Sequence, residues 1–286
     1  MGVKVLAALL VPVLTHALCC TRFLSLLRES GLVRANFRGR LVPTSGGLLL
    51  LLAHVASMMV LMALAWLEGT AQAWREPVLL LCGAVSMALW GFWDDWAADQ
   101  ESKGFRGHFA ALLREGRITS GLWKAAGGGI TSCLVAVAIS AHWSEVLVRT
   151  LLLALSANLL NLFDLRPGRA IKVFWLLVLP ALLLSGRGAE ELWYVPAVMA
   201  SFLMFGLDAR GRLMLGDTGA NYLGFVAGYL LIWTLPLSGE LVMALLFLAL
   251  NLASEYISFS RVIQANPLLA RLDRWGCEAA WEHKGV

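Results

Sequence analysis

Three short polar clusters interrupt an otherwise apolar chain, and each carries groups able to hold a cation or a phosphate. Gly91-Phe92-Trp93-Asp94-Asp95 ends in two adjacent carboxylates, which repel one another unless a cation lies near; such a pair suits a metal ligand or a general base. Asn158, Asn161 and Asp164 are spaced i, i+3, i+6, so in a helix they share one face. Asparagine is costly in hydrocarbon, so two of them demand partners, either a neighbouring helix or a ligand. Leu215-Gly216-Asp217-Thr218-Gly219-Ala220-Asn221 places an acid and a hydroxyl between glycines. Glycine allows the backbone to approach a ligand closely, and a helix N-terminus after such a loop attracts phosphate. Helix capping alone would explain Asp217 or Thr218, but not both flanking glycines.

The elements that must position these groups are membrane helices. Of 286 residues, 59% are hydrophobic and 15% charged, and the mean hydropathy is +0.73. A soluble domain is nearer a quarter charged, so a soluble enzyme and a disordered chain are both excluded. Spanning helices need about 20 mostly apolar residues, and the pattern predicts them at 3–25, 46–67, 77–93, 121–141, 146–163, 171–185, 193–207, 218–235 and 241–258. The expected fold is all-α, a single polytopic membrane domain over 1–286 with about nine spans, and 259–286 as a cytoplasmic tail that reads as a short interfacial amphipathic helix. The apolar run after Lys4 lacks a small-residue cleavage site and reads as a retained first helix. The five cysteines form no CxxC pair and read as packing residues, neither a disulfide framework nor a zinc site.

Charge sets the orientation. Of the 23 Lys and Arg residues, all but Lys4, Arg75, Arg149 and Arg187 fall on one side if the N-terminus is outside and the C-terminus inside. Asp94-Asp95, Asp164 and Asp217 then all lie at the cytoplasmic ends of their spans, with Lys and Arg around them. Acids and bases at one interface suit a divalent cation that shares phosphates with cationic side chains. A transporter would instead place its acids near the midplane. The basic residues are spread over many loops, so nucleic acid is not implied.

Taken together and in this order, the motifs resemble those of the polyprenyl-phosphate N-acetylhexosamine-1-phosphate transferases. That superfamily includes phospho-N-acetylmuramoyl-pentapeptide transferase and the UDP-GlcNAc:undecaprenyl-phosphate GlcNAc-1-phosphate transferases. The resemblance runs from about residue 36 to 225. Pro43-Thr44-Ser45-Gly46-Gly47 looks like the family's PTxGG, Asp94-Asp95 its DD, Lys124 its loop lysine, Asn158 to Asp164 its NxxNxxD, and Gly216-Asp217-Thr218-Gly219 its GD(T/V)G. The resemblance implies transfer of a sugar-1-phosphate from a UDP-sugar to polyprenyl phosphate, with release of UMP, at the cytoplasmic face of a bacterial membrane, for cell-envelope glycan synthesis. It implies Asp217 as ligand of magnesium, with manganese as the alternative ion, and Asp94, Asp95 and Asp164 as catalytic residues. Thr44, Lys124, Asn158, Asn161, Arg166, Arg169 and Asn221 become the substrate-binding set. The family commonly dimerises, and no feature of this sequence marks an interface.

The chain departs from that pattern in three places. Pro167 stands where most members carry a second acid that helps hold uracil, which turns attention to Arg166 and Arg169 as phosphate contacts. Residues 258–267 lack the histidine-rich motif of bacterial members, and His283 lies alone near the end. The predicted spans number nine where the family usually has ten helices. These departures motivate an alternative, a non-catalytic relative that binds a lipid-linked precursor or scaffolds envelope assembly. His16 and His54 read as helix–helix hydrogen-bonding groups, Gly127-Gly128-Gly129 as close packing, and Glu255 as a secondary site residue.

Overall fold

A computed structural model describes residues 2–70, 74–97, 119–186 and 188–277. Lys103, Arg106, Arg114, Arg117, Arg187, His283 and Lys284 lie outside the described residues. The nine segments expected to be helical are helices: α1 (Gly2–Glu29), α2 (Gly47–Leu67), α3 (Arg75–Ala97), α4 (Ser120–Ile139), α5 (Trp143–Phe163), α6 (Arg169–Ser185), α7 (Val195–Asp208), α8 (Gly216–Thr234) and α9 (Leu237–Ser254). Six of them, α1 to α5 and α9, are long and apolar enough to cross a membrane.

The fold is nearly all-α, and two local features were not expected. The strands β1 (Val33–Ala35) and β2 (Leu41–Pro43) form a small antiparallel hairpin, with Val33 opposite Pro43 and Ala35 opposite Leu41. Its turn is tied by the Asn36 side chain, which accepts from the amides of Arg38 and Arg40 at 2.9 and 3.1 Å. The tail forms two short helices rather than one, α10 (Phe259–Ala265) and α11 (Pro267–Arg274). Asn266 separates them and caps α11 through the amides of Leu268 and Leu269.

The arrangement is a bundle around α8. Nearly every residue of α8 from Gly216 to Ile232 is buried, as expected of a helix apolar on all sides. It packs against α3, α5 and α6. The outer helices show the opposite pattern: Leu6, Leu10 and Leu14 on α1, Ile130, Leu134 and Val137 on α4, and Val242, Leu245 and Leu246 on α9 all stand exposed. Apolar faces of that extent suit a lipid surround. Small residues bring α8 close to its neighbours. The Phe225 ring fills the space where Gly83 has no side chain, and Gly224 lies against the backbone of Ser156 and Ala157.

Candidate functional site

The GDTG segment is fixed where the PTSGG and DD segments meet it. A Cβ at Gly47 would fall 2.1 Å from the amide nitrogen of Gly219, and one at Gly91 would fall 2.3 Å from the carbonyl oxygen of Asp217. Three backbones therefore approach to distances that only glycine permits. Ser45, at φ 60°, is the one described non-glycine residue with positive φ, and Gly216 has φ 72°. Left-handed backbone at a non-glycine residue costs energy and tends to cluster at functional sites.

Asp95 holds this junction together. Its carboxylate accepts from Ser45 Oγ at 2.9 Å, Thr218 Oγ1 at 2.6 Å, and the amides of Asp217 and Thr218 at 3.0 and 3.1 Å. Four donors meet the acceptor capacity of a carboxylate. Asp95 thus caps α8 from another helix, satisfying amides that a helix start leaves open. Asp95, expected among the catalytic residues, thus also positions the GDTG segment, with three of its four donors on Oδ2 and one on Oδ1.

Asp94 faces a different environment. It accepts from Ser120 Oγ at 2.6 Å and from Lys124 Nζ at 2.7 Å. Lys124 Nζ also pairs with Asp217, and the Asp94 and Asp217 carboxyls lie within hydrogen-bonding reach of one another. One lysine from α4 therefore joins the acid of α3 to the acid of α8. The Asp217 side chain is 34% exposed against 19% for Asp94, which makes it the carboxylate more open to a ligand.

This ion pair stands between two cavities. One, of about 380 Å³, runs between α3, α4 and α5; Met87, Leu122, Ala154 and Leu155 line its length, with Lys124, Asn158, Asn161, Asn221 and Glu255 as its polar groups. Gly128 and Gly129 border it, and a Cβ at Gly129 would meet nothing within 4 Å. The expectation of close packing therefore holds for Gly127, which abuts the Trp90 ring, and is corrected for Gly129, which leaves the groove open. The other cavity, of about 240 Å³, is polar. It is lined by Thr44, Asp95, Asp164, Asp208 and Asp217 together with Arg34 and Arg166.

The asparagines divide between scaffold and cavity. Asn158 donates to Asn251 of α9, which itself bonds the carbonyls of Leu155 and Phe247. Asn161 donates to Asn221 of α8, but its own Oδ1 is buried with no hydrogen-bond partner among the described residues. A buried unpaired acceptor at a cavity wall is a place for a ligand donor.

Arg166 lies over the Phe37 ring at 4.8 Å, so the hairpin turn supports it at the polar cavity. Arg169 is not brought there. It is buried, and makes two bonds to Asp273 at 2.7 and 2.8 Å and one to Ser260 Oγ at 2.9 Å. Arg169, expected as a phosphate contact, directs these donors to the tail. His54 bridges Tyr222 and the carbonyl of Trp193, the helix–helix role expected of it.

Residues not singled out in the sequence also contribute. Asp208 accepts from the amide of Gly168 at 2.7 Å and from the backbone of Leu215, so it ties the loop after Asp164 to the GDTG loop. Arg34 donates to the carbonyl of Asp95 at 3.0 Å. Ser45 and Ser120 orient the two carboxylates. Only Ser45 lay inside a motif; Asp208 carried no spacing signal.

A divalent ion can be tested against this donor set. Among the described residues no three acidic, histidine or cysteine side chains converge into a ready cage. Magnesium does not need one, since it commonly binds through one or two carboxylates plus waters and substrate phosphates. Asp217 beside Asp94 fits that mode. The surroundings also carry surplus negative charge. Desolvation in the polar cavity, then the charges of Asp208, Asp217 and Asp95, hold the Asp164 carboxyl well above the usual carboxylate range, against a hydrogen bond from the Gly216 backbone. A bound cation would relieve that repulsion. Compared with protein-family models and with curated proteins, the sequence finds no match in either.

Proposed function

We propose that this protein is a membrane phosphoglycosyl transferase: it moves a sugar-1-phosphate, an N-acetylhexosamine being the expected sugar, from a UDP-sugar to a polyprenyl phosphate and releases UMP. In this reading all nine long helices span a bacterial cytoplasmic membrane, with the N-terminus outside, the C-terminus inside and the site facing the cytoplasm. The product would serve cell-envelope glycan synthesis. The observation that carries the reading is the Lys124–Asp217 pair at the boundary between an apolar groove and a polar cavity. Two anionic substrates, one from lipid and one from water, need such a meeting point.

The residues divide the task by location. The groove lined by Met87, Leu122 and Leu155 suits a polyprenyl chain, and Lys124 at its polar end suits the phosphate. Arg34 and Arg166 supply positive charge in the polar cavity, where the nucleotide diphosphate would sit, with Thr44 on its wall. Asp217, with Asp94 beside it, would hold magnesium or manganese, which neutralises diphosphate charge when bound. An oxygen of the lipid phosphate forms a bond to the phosphorus that bears the sugar. The bond from that phosphorus to UMP breaks, and UMP leaves with the electron pair. A lipid phosphate near neutral pH is already largely ionised, so Asp94 contributes by holding Lys124 in place more than by removing a proton. Lys124 shifts from its carboxylates toward the phosphates as charge develops, and such directed electrostatics are the main source of rate in phosphoryl transfer. Asn161, with its unpaired Oδ1, and Asn221 offer polar contacts at the groove end.

The test is UMP release by purified protein with magnesium, undecaprenyl phosphate and a panel of UDP-N-acetylhexosamines. Lipid-dependent release that Asp217→Asn abolishes is expected. No release from any donor, by protein that still binds polyprenyl phosphate, would instead favour a non-catalytic binder of lipid-linked precursors.

A further inference from the structure

The tail helix α11 is amphipathic in the wrong sense for a helix packed in water. Leu268, Leu272 and Trp275, at i, i+4 and i+7, form one stripe, and they are 66%, 56% and 61% exposed. Leu269 borders the stripe and is also exposed. The acid of this helix, Asp273, is the residue turned inward. A helix serving only to close a protein surface would present the reverse pattern. Arg271 and Arg274 stand exposed beside the stripe, and Arg261 on α10 adds a third exposed cation. Exposed leucines and a tryptophan flanked by arginines fit the headgroup region of a bilayer that carries negative lipid. α11 is joined through residues 255–266, which include α10, to α9, a helix long and apolar enough to cross a membrane, so a bilayer surface is close at hand.

The inner side of α11 is tied to the first turn of α6 and the loop just before it. Arg169 grips Asp273. Lys172 Nζ donates to the carbonyls of Leu272, Asp273 and Trp275 at 3.2, 2.6 and 3.0 Å, capping the C-terminus of α11. Cys277 Sγ donates to the carbonyl of Pro167 at 3.2 Å. Every one of these contacts lands on residues 167–172, beside Arg166 in the polar cavity.

We propose that α11 seats its outward stripe in an anionic bilayer surface and, through Asp273 and the C-terminal carbonyls of the helix, braces the loop that carries Arg166. The inference does not depend on the transferase reading. Hydrogen exchange of the full chain in nanodiscs of phosphatidylcholine, with and without phosphatidylglycerol, tests it. The expected result is several-fold slower exchange across 266–275 and 165–170 when phosphatidylglycerol is present. Arg271→Glu with Arg274→Glu should remove that difference, while the exchange of α8 stays unchanged and so reports an intact fold. Asp273→Asn should keep protection of α11 in the anionic discs but release 165–170. In parallel, a fluorophore at Leu272→Cys, with Cys19, Cys20, Cys82 and Cys133 replaced by alanine, should be quenched by lipids spin-labelled near the headgroup. Three outcomes would overturn the proposal: exchange that is the same in both lipids, a fluorophore that remains in water, or protection that appears only when two copies share a disc. The last would assign the stripe to a second copy of the chain.

Discussion

Asp95 and Asp217 meet at one junction with different surroundings, so their loss should read differently. Asp95→Ala leaves the donors of Ser45, Asp217 and Thr218 without their acceptor. That should cost about 1–3 kcal/mol or more and lower the thermal unfolding midpoint of the purified protein. Asp217→Asn removes one of the two carboxylates paired with Lys124 and leaves Asp94 as its partner. It should leave the unfolding midpoint nearly unchanged and reduce transfer about 100- to 1000-fold, the usual scale for losing one preorganised electrostatic group. Equal unfolding midpoints for both variants would contradict the division of roles. The motif residues were legible in the sequence because each polar group stood out from an apolar background. The division between Asp94 and Asp95 was not, because it depends on which donors two other segments bring, and adjacency in the chain carries no information about that. The same limit applies to Arg169: its type suggested phosphate, whereas its partner Asp273 is 104 positions away.

At the scale of elements, the helices could be read from hydropathy to within a few residues, since a long apolar run in a charged-poor chain has few alternatives. The hairpin could not, because strands of three residues leave no periodic trace. Glycine positions test how the helices are set. Gly91→Ala would drive a methyl into the Asp217 carbonyl and should destabilise the junction by about 1–3 kcal/mol, the cost typical of overpacking. Gly129→Leu, facing open groove, should leave unfolding unaffected or slightly improved by up to about 1 kcal/mol of helix propensity. It should raise the KM for polyprenyl phosphate while sparing the KM for the UDP-sugar. A change in the donor KM alone would place the lipid elsewhere. Breaking the tail's anchor is a third check. Arg169→Ala leaves Asp273 buried without its partner and should cost about 3–5 kcal/mol. A second substitution, Asp273→Ala, should return part of that loss, as read from the unfolding midpoints of the two single variants and the double variant.

For the whole molecule, the proposed site would face the side of the membrane that holds most of the basic residues. Exposed positions on the two sides report this directly. In inside-out vesicles, Arg40→Cys on the hairpin should react with an impermeant thiol reagent added outside, and Trp143→Cys, at the opposite end of α5 from the site, should react only after permeabilisation. The reverse pattern would invert the orientation and put the polar cavity out of reach of a cytoplasmic nucleotide. The central claim is narrower than topology: phosphate travels with the sugar onto the lipid. It is tested most directly with a UDP-N-acetylhexosamine that carries a radioactive label in its β-phosphate, incubated with the protein, magnesium and undecaprenyl phosphate. Transfer as proposed puts label in the organic phase as a lipid diphosphate sugar and unlabelled UMP in the aqueous phase, and gives neither with Asp217→Asn. Label recovered in aqueous UDP would mean that the sugar moves without its phosphate, and label remaining wholly in the donor would mean no transfer; either result contradicts the account.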